Sequence, residues 1–494
     1  LAVAAVHNDP TLKRFLPFVA IAVASVAVAA GPGGDPAVAA DPAAQRLAHD
    51  ILAELVSINT TDSDGSTTAA AEAMAARFRA AGFAAGDISL LGPNARKGNL
   101  VARLRGRPGT KLRPLLIIGH LDVVEAPRSD WSSDPFRLVE KDGYYYGRGV
   151  QDMKGPDAVV VADLIRLKSS GFVPDRDIIL ALTADEEGGT ANGIDWLLQH
   201  HRELVDAEYV LNPDGGIVSA DHGRAVSIEV EAAEKLYADY QLLATNPGGH
   251  SSRPTPDNAI YHVTDALAAL QATPFPFELN AVTRAYLGAM SQVAGGQEGA
   301  DMRAILAEPP EPAAIARLSQ DPRLNSILHT TCVPTMLSAG QAVNALPMRA
   351  EANVNCRILP GHSQEEVRLE LVRRFADPAL TVRYRSDAGV LSDHGSERRA
   401  MTPPPPRADL LAAVRDIGGR LWPGAPVVPL METVATDSIY TMQANIPSYG
   451  VSGLLIDRDD NREHARDERV RVGAFDDCLE FYYQLLRALT GGRH

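Results

Sequence analysis

Between about 43 and 230, short runs of consecutive apolar residues alternate with segments whose apolar residues recur every three or four positions. "PAAQRLAHDILAELVSI" and "STTAAAEAMAARFRAAGF" have the second pattern and are rich in good helix formers, which predicts two helices. "PLLIIGHLDVV" (114–124) and "DIILALTADEE" (177–187) are short, Ile-, Leu- and Val-rich runs of the kind that form strands buried on both faces. The periodic "PDAVVVADLIRLKSSGF" between them predicts a crossover helix. Strand, helix and strand at this spacing predict an α/β layer fold with a largely covered sheet. Ligands in such sheets bind beyond the carboxyl ends of the strands, and both runs end in polar, acidic residues.

From about 231 the pattern changes. "KLYADYQLLAT" (235–245) alternates partially, "NPGGHSS" is a Gly-rich turn and "NAIYHVTDALAALQAT" has helical spacing. A polar, helical stretch (about 279–325) leads to "TCVPTMLSAG" and "MRAEANVNCRILPG", whose alternation suits a sheet with one wet face. "SQEEVRLELVRRFA" predicts another amphipathic helix, "LTVRYR" (380–385) a strand and "MTPPPPRADL" (401–410) a loop or helix start. The pattern then returns to helix and strand through "AFDDCLEFYYQLLRALTGG". The expected organisation is a signal and linker (1–42), a catalytic domain in two parts (43–230 and 387–494) and a small inserted α+β domain (231–386).

Composition narrows the class. The 494 residues suffice for more than one domain, and 45% hydrophobic with 22% charged residues is ordinary for a globular chain. A formal net charge of −15 argues against nucleic acid or an anionic membrane surface as partner. Cys332, Cys356 and Cys478 can form at most one disulfide, which excludes a disulfide scaffold and a cysteine-rich zinc site. Lys13 and Arg14 precede the apolar run "FLPFVAIAVASVAVAA" (15–30) and small residues follow it, which describes an export signal. A retained anchor is the alternative, although the run is slightly short for a membrane span. A secreted or periplasmic location is expected, with no stable membrane span after cleavage.

Candidate chemistry gathers at the ends of the first domain's elements. His120 and Asp122 stand two apart in "GHLDVV", so on a strand they share a face. A carboxylate there can accept the second ring N–H of a metal-bound imidazole or hold the ring by packing. Asp152 lies in "YGRGVQDMKG", where glycines permit close backbone approach. Glu186 and Glu187 end the second strand, Asp214 lies in "NPDGG" and His464 lies far away in "REHARDERV". Two imidazoles with several carboxylates form a nitrogen–oxygen donor set that suits zinc, manganese or cobalt better than calcium or magnesium. Adjacent carboxylates raise each other's pKa, a cost relieved if one is coordinated and the other carries a proton. Each residue alone is weak evidence, because a lone buried His is more often a hydrogen-bonded core residue. The joint pattern is what carries the inference.

"GHLDVV", "DGYYYGRGVQDMKG", "TADEEGG", "NPDGG", "GGHSSRPTPDNAI", "CRILPG" and "EHARDERV" occur in the order found in the co-catalytic zinc peptidases. That family includes carboxypeptidase G, aminoacylase, dipeptidases and succinyl-diaminopimelate desuccinylase. The chain resembles it from about 45 to 490, and "TADEEGGTANGIDWLLQHH" looks most like the carboxypeptidase S and Gly-X carboxypeptidase branch. The resemblance implies a three-layer αβα domain with a mixed central sheet and an inserted lid domain that often dimerises. It implies two Zn2+ ions, with Co2+ or Mn2+ as substitutes, bridged by one carboxylate and a water.

Residue by residue, Asp152 resembles the bridging ligand, His120 and Asp214 complete one metal site, and Glu187 and His464 complete the other. Asp122 matches the residue that orients His120, and Glu186 matches the general base. The peptide after Asp152 is often cis in the family. His250 matches an oxyanion-stabilising residue that often acts across a dimer, Arg357 a substrate-carboxylate ligand, and Asn344 lies in a corresponding region. "TDSIY" (436–440) and "PSYGVSG" (447–453) fall where the family lines its pocket. The implied activity is hydrolysis of a peptide bond next to a free carboxylate, as a carboxypeptidase or dipeptidase. An N-acyl-amino-acid deacylase is the alternative, and a non-catalytic metal- or peptide-binding protein is the remaining one.

Overall fold

A computed structural model describes residues 41–386, 389–396 and 407–491. The expected signal and nearly all of the linker, and most of "MTPPPPRADL", lie outside the described residues. No helix among the described residues is long and apolar enough to cross a membrane.

The first predicted helix runs from Pro42 to Ser57. The Asp41 side chain accepts the Ala43 N–H at its start, and proline occupies the first turn, where no backbone donor is needed. The second runs from Thr67 to Ala80 and the crossover helix from Lys154 to Ser169. The two apolar runs form the strands Leu115–His120 and Ile178–Thr183, which pair in parallel. Both are buried at every position, and their residues divide between two cores by period two. Leu115, Ile117, Ile178, Leu180 and Leu182 face one core, which also holds the Pro42–Ser57, Lys154–Ser169 and Val472–Thr490 helices. Leu116, Ile118, Ile179 and Ala181 face a second core with Ile194 and Leu197 of the helix Gly193–His200. Helices therefore cover both faces of the sheet, in three layers.

Among the described residues that sheet has ten strands. Its centre is a parallel set, Ile178–Thr183, Leu115–His120, Tyr209–Asn212 and Ser448–Gly450, and antiparallel neighbours make the whole sheet mixed. The parallel strands place their carboxyl ends together, and the chain leaves them at Glu186, Asp122, Asp214 and Val451.

A five-stranded antiparallel sheet follows in sequence. Its order is Thr331–Ala339, Arg349–Ile358, Leu236–Thr245, Leu380–Arg385 and Leu391–Ser392. Alternate residues, among them Ala238, Tyr240, Leu242, Ala352, Val354 and Val382, pack with the helices Ala259–Ala272 and Gln364–Phe375 into a separate core. The opposite face carries Asp239, Gln241, Asn353, Asn355 and Arg357, so the expected wet face is present. Four helices within 281–328 belong to the first core instead, through Val282, Tyr286, Leu287, Met302 and Ile327. The strand Arg224–Glu234 is still in the ten-stranded sheet, so the chain passes between sheets at Lys235. Cys332 and Cys356, opposite each other on neighbouring strands, are joined by a disulfide, and Cys478 is a buried free thiol.

Gly119 shows how the sheet meets the crossover helix beneath the site. A Cβ there would come within 2.1 Å of Asp157 Oδ1 and 3.2 Å of Met153 Cε. Asp157 is itself buried, so it has little room to yield. Gly119→Ala is expected to lower unfolding stability by about 1–3 kcal/mol, measured by urea denaturation. An unchanged midpoint would show that this contact is slack.

Candidate metal centre

His120 is the last residue of its strand and is 1% exposed. Its Nδ1 lies 3.0 Å from the Asp122 carbonyl oxygen, which can only accept, so Nδ1 carries the hydrogen and Nε2 faces inward. There Nε2 lies 3.0 Å from Asp152 Oδ1 and 3.8 Å from Asp214 Oδ1. A bare lone pair pointed at two carboxylates is repulsive, so this geometry requires a proton or a cation between the three groups. His464 repeats it on the other side of Asp152. Its Nε2 is 3.0 Å from Asp152 Oδ2 and 2.8 Å from Glu187 Oε2. Asp152 thus gives one oxygen to each imidazole.

These contacts define two groups of three, His120–Asp152–Asp214 and Asp152–Glu187–His464. Within each, the donor atoms lie within 4.8 Å of one another, so each can hold a metal ion. The donor chemistry matches the nitrogen–oxygen set that transition dications prefer. The protonation of the cluster points the same way. Burial opposes a charge on His120, but hydrogen bonds to Asp152 and Asp214 outweigh it and hold its pKa well above the ordinary value. Hydrogen bonds to Asp152 and Glu187 push His464 up to about 10. Burial alone would raise Asp152, yet the two imidazoles hold it well below the usual carboxylate range. Burial pushes Glu187 up to about 7, with the Asp152 charge adding to it and the His464 hydrogen bond opposing. Both imidazoles are thus pushed toward the charged form, so the cluster favours positive charge beside its oxygens.

The loops are held by hydrogen bonds, most of them between segments distant in sequence. The Asp122 carboxylate accepts the backbone N–H groups of Glu186 (3.2 Å) and Glu187 (2.9 Å). The Asp122 contact that fixes the imidazole is therefore its carbonyl, while its side chain, 3.8 Å from Nδ1, anchors the glutamate turn. Asp185 begins that turn with a left-handed φ of 59° and forms an ion pair with Lys97. The Asp214 N–H donates to Asn212 Oδ1 (3.1 Å), and Asn212 Nδ2 donates to Thr436 and Ser438. The Asp152–Met153 peptide is cis.

Glu186 belongs to neither group of ligands. It borders a cavity of about 670 Å³ that is also lined by Leu236, Tyr237, Tyr384, Val390, Ile439 and Tyr440. Burial raises its pKa well above the usual range, with the charges of Asp214, Asp437 and Glu187 adding to the effect. His250 is exposed, in a two-residue ladder with Ala345, and its Nδ1 accepts from the Ser252 N–H at 3.1 Å. Asn344 accepts the Ser251 N–H at the same place. Arg357 lies on the wet face of the second sheet, 4.7 Å from the Tyr237 ring centre. None of these three residues enters either ligand group.

Sequence reasoning left Lys97 and Asp437 without a role. Asp437, buried, accepts hydrogen bonds from Thr183 (3.0 Å) and Asn192 (2.6 Å), and burial pushes its pKa up to about 7. "TDSIY" marked its neighbourhood, whereas nothing local to Lys97 announces a partner 88 residues away.

Comparison with known proteins agrees with this geometry. A profile of peptidase family M20/M25/M40 matches residues 116–488. The chain is similar to human N-fatty-acyl-amino acid synthase/hydrolase PM20D1, at 28% identity over 387 residues, covering 76% of this chain and 74% of that protein. It is similar to probable carboxypeptidase S-like 2 of Dictyostelium discoideum, at 26% identity over 76% of this chain and 72% of that one. In fold it resembles an M20 family metallo-carboxypeptidase from Sulfolobus solfataricus, with a TM-score of 0.64 and 17% identity over 89% of this chain and 98% of that chain.

Metal binding must displace the protons on His120, His464 and Glu187, so affinity should rise with pH. Zinc titration of chelator-treated protein, by calorimetry in buffers of different ionisation enthalpy, is expected to show net proton release and tighter binding at pH 8 than at pH 6. Asp152→Asn is expected to weaken both binding events, and Asp214→Asn mainly one. Binding that ignores pH, or that survives Asp152→Asn unchanged, would contradict this centre.

Proposed function

The chain belongs to peptidase family M20/M25/M40, and from that premise we propose that it is a zinc-dependent carboxypeptidase or dipeptidase with Glu186 as general base. It is a hydrolase of peptide or N-acyl amide bonds. The observation that carries the reading is the division of the glutamate pair, Glu187 with the ligands and Glu186 at the cavity. His120, Asp152 and Asp214 would hold one zinc ion, and Asp152, Glu187 and His464 the other. When bound, two such ions polarise the scissile carbonyl and acidify a water.

The chain's own residues supply the proton chemistry. Glu186 Oε takes a proton from the attacking water and later delivers it to the leaving amine nitrogen, because an amide anion is a poor leaving group. Asp122 holds the backbone of Glu186 and Glu187 in place. Arg357 is assigned to the substrate carboxylate, for which a guanidinium fork is well shaped. Asn344 is assigned to the same substrate end, and His250 to the oxyanion.

A second reading is an N-acyl-amino-acid deacylase, and the cavity beside Glu186 has a mixed lining. Leu236, Tyr237, Tyr384, Val390, Ile439 and Tyr440 give it an apolar part against which an acyl chain could lie, beside polar groups such as Asn192 and Gln364. The partners are then peptides or N-acyl amino acids. A homodimer through the second sheet is also proposed. Its edge strand Thr331–Ala339 is paired on one side and exposes Val333, Met336 and Leu337. The Cys332–Cys356 disulfide supports an exported protein in an oxidising compartment.

Glu186→Gln is expected to leave zinc content unchanged and to lower kcat by about 10²–10⁴-fold. Retained turnover would remove Glu186 as the base. A panel of dipeptides, longer peptides and N-acyl amino acids, each with a free or amidated C-terminus, separates the two readings. Preference for acyl chains favours the deacylase, and indifference to amidation would remove Arg357 as the carboxylate ligand.

A further inference from the structure

Glu468 is 0% exposed, four residues after His464, and joins neither ligand group. The strand Arg469–Arg471 pairs antiparallel with Tyr144–Tyr146, with Arg469 opposite Tyr146. Beyond that pair the two chains separate. One continues through Gly147 to Asp152, and the other arrives from His464. The Gly147 N–H closes the fork on the Glu468 carbonyl at 3.2 Å.

The Glu468 carboxylate fills the space inside the fork. Oε2 accepts Arg148 Nη1 (2.7 Å) and the Gly149 N–H (2.9 Å). Oε1 accepts the N–H groups of Gln151 (2.7 Å) and Asp152 (3.1 Å). A carboxylate has about four acceptor positions, and all four face this one loop. Three of the donors are backbone amides that have no sheet to enter. The Gln151 side chain adds a second tie, accepting the Arg462 N–H at 3.2 Å and donating to Asn461. Arg148, buried under the Trp131 ring at 5.0 Å, supplies the compensating charge.

We propose that Glu468 is a positioning residue for the metal centre, setting the distance between Asp152 and His464 through backbone hydrogen bonds. Its effect falls on the group that needs both loops, Asp152–Glu187–His464. The group His120–Asp152–Asp214 draws nothing from the His464 loop and depends on Glu468 only through Asp152. Gln at this position keeps the shape but turns an NH2 donor toward two donors of the loop. Asp keeps the charge with a shorter reach.

The inference rests on the proposed two-ion centre, and zinc titration of the metal-free protein distinguishes the two. Wild type that fails to bind two ions would sink the centre itself. With two ions bound in wild type, Glu468→Gln should weaken one event by about 10–100-fold and the other by less than about threefold, with Glu468→Asp restoring part of the loss. A purely structural Glu468 would lower the melting temperature and leave both affinities unchanged, which overturns the proposal. If Glu468→Gln does not fold, Arg148→Lys serves instead. It should weaken the same event about three- to tenfold, and unchanged affinity there counts equally against the proposal.

Discussion

Asp152 lies between two imidazoles, His120 and His464, that are far apart in the chain, with one carboxylate oxygen for each. Asp214 and Glu187 approach from either side, so three half-buried carboxylates meet two imidazoles, buried His120 and exposed His464. Three carboxylates brought this close repel one another, which makes the arrangement costly unless positive charge joins them. The orientation of His120 shows what relieves the cost. Its Nδ1 hydrogen is committed to a carbonyl, leaving Nε2 directed at acidic oxygens. Positive charge has to stand between them, and the fold is arranged around that requirement.

The parallel strands answer half of the requirement. Their carboxyl ends release His120, Glu186, Glu187 and Asp214 from adjacent positions in the sheet. The rest comes from loops that the sheet does not control, and there the chain uses buried side chains as braces. Asp122 takes two amides of the glutamate turn, Asn212 caps the Asp214 turn, and Lys97 with Asp185 secures the turn's left-handed start. As a result two adjacent glutamates face different ways, one toward the ligands and one toward the cavity.

Much of this was legible in the sequence, for identifiable reasons. Strands buried on both faces read as unbroken apolar runs, so Leu115–His120 and Ile178–Thr183 stood out. The helix Lys154–Ser169 followed from its spacing. Short motifs at strand ends marked His120, Glu187 and Asp214, which the fold brings near Asp152 and His464, because local chain geometry places them. What depends on contacts between distant segments was not legible. The helices of 281–328 have an ordinary amphipathic pattern, and only packing decides that they join the first core. The carboxylate of Asp122 was expected beside His120 and stands 3.8 Å from its Nδ1, but its bonds to amides 64 and 65 residues away had no signal in the sequence. Glu468 and Lys97 act over still longer separations or across loops, with no periodicity to reveal them.

If Asp152 joins two cation sites, anomalous diffraction at the zinc edge, from crystals of zinc-loaded protein, will show two peaks per chain, one against each oxygen of Asp152. His120 and Asp214 are expected at the first and Glu187 and His464 at the second. A single peak, or two peaks of which either lies away from Asp152, would contradict that arrangement.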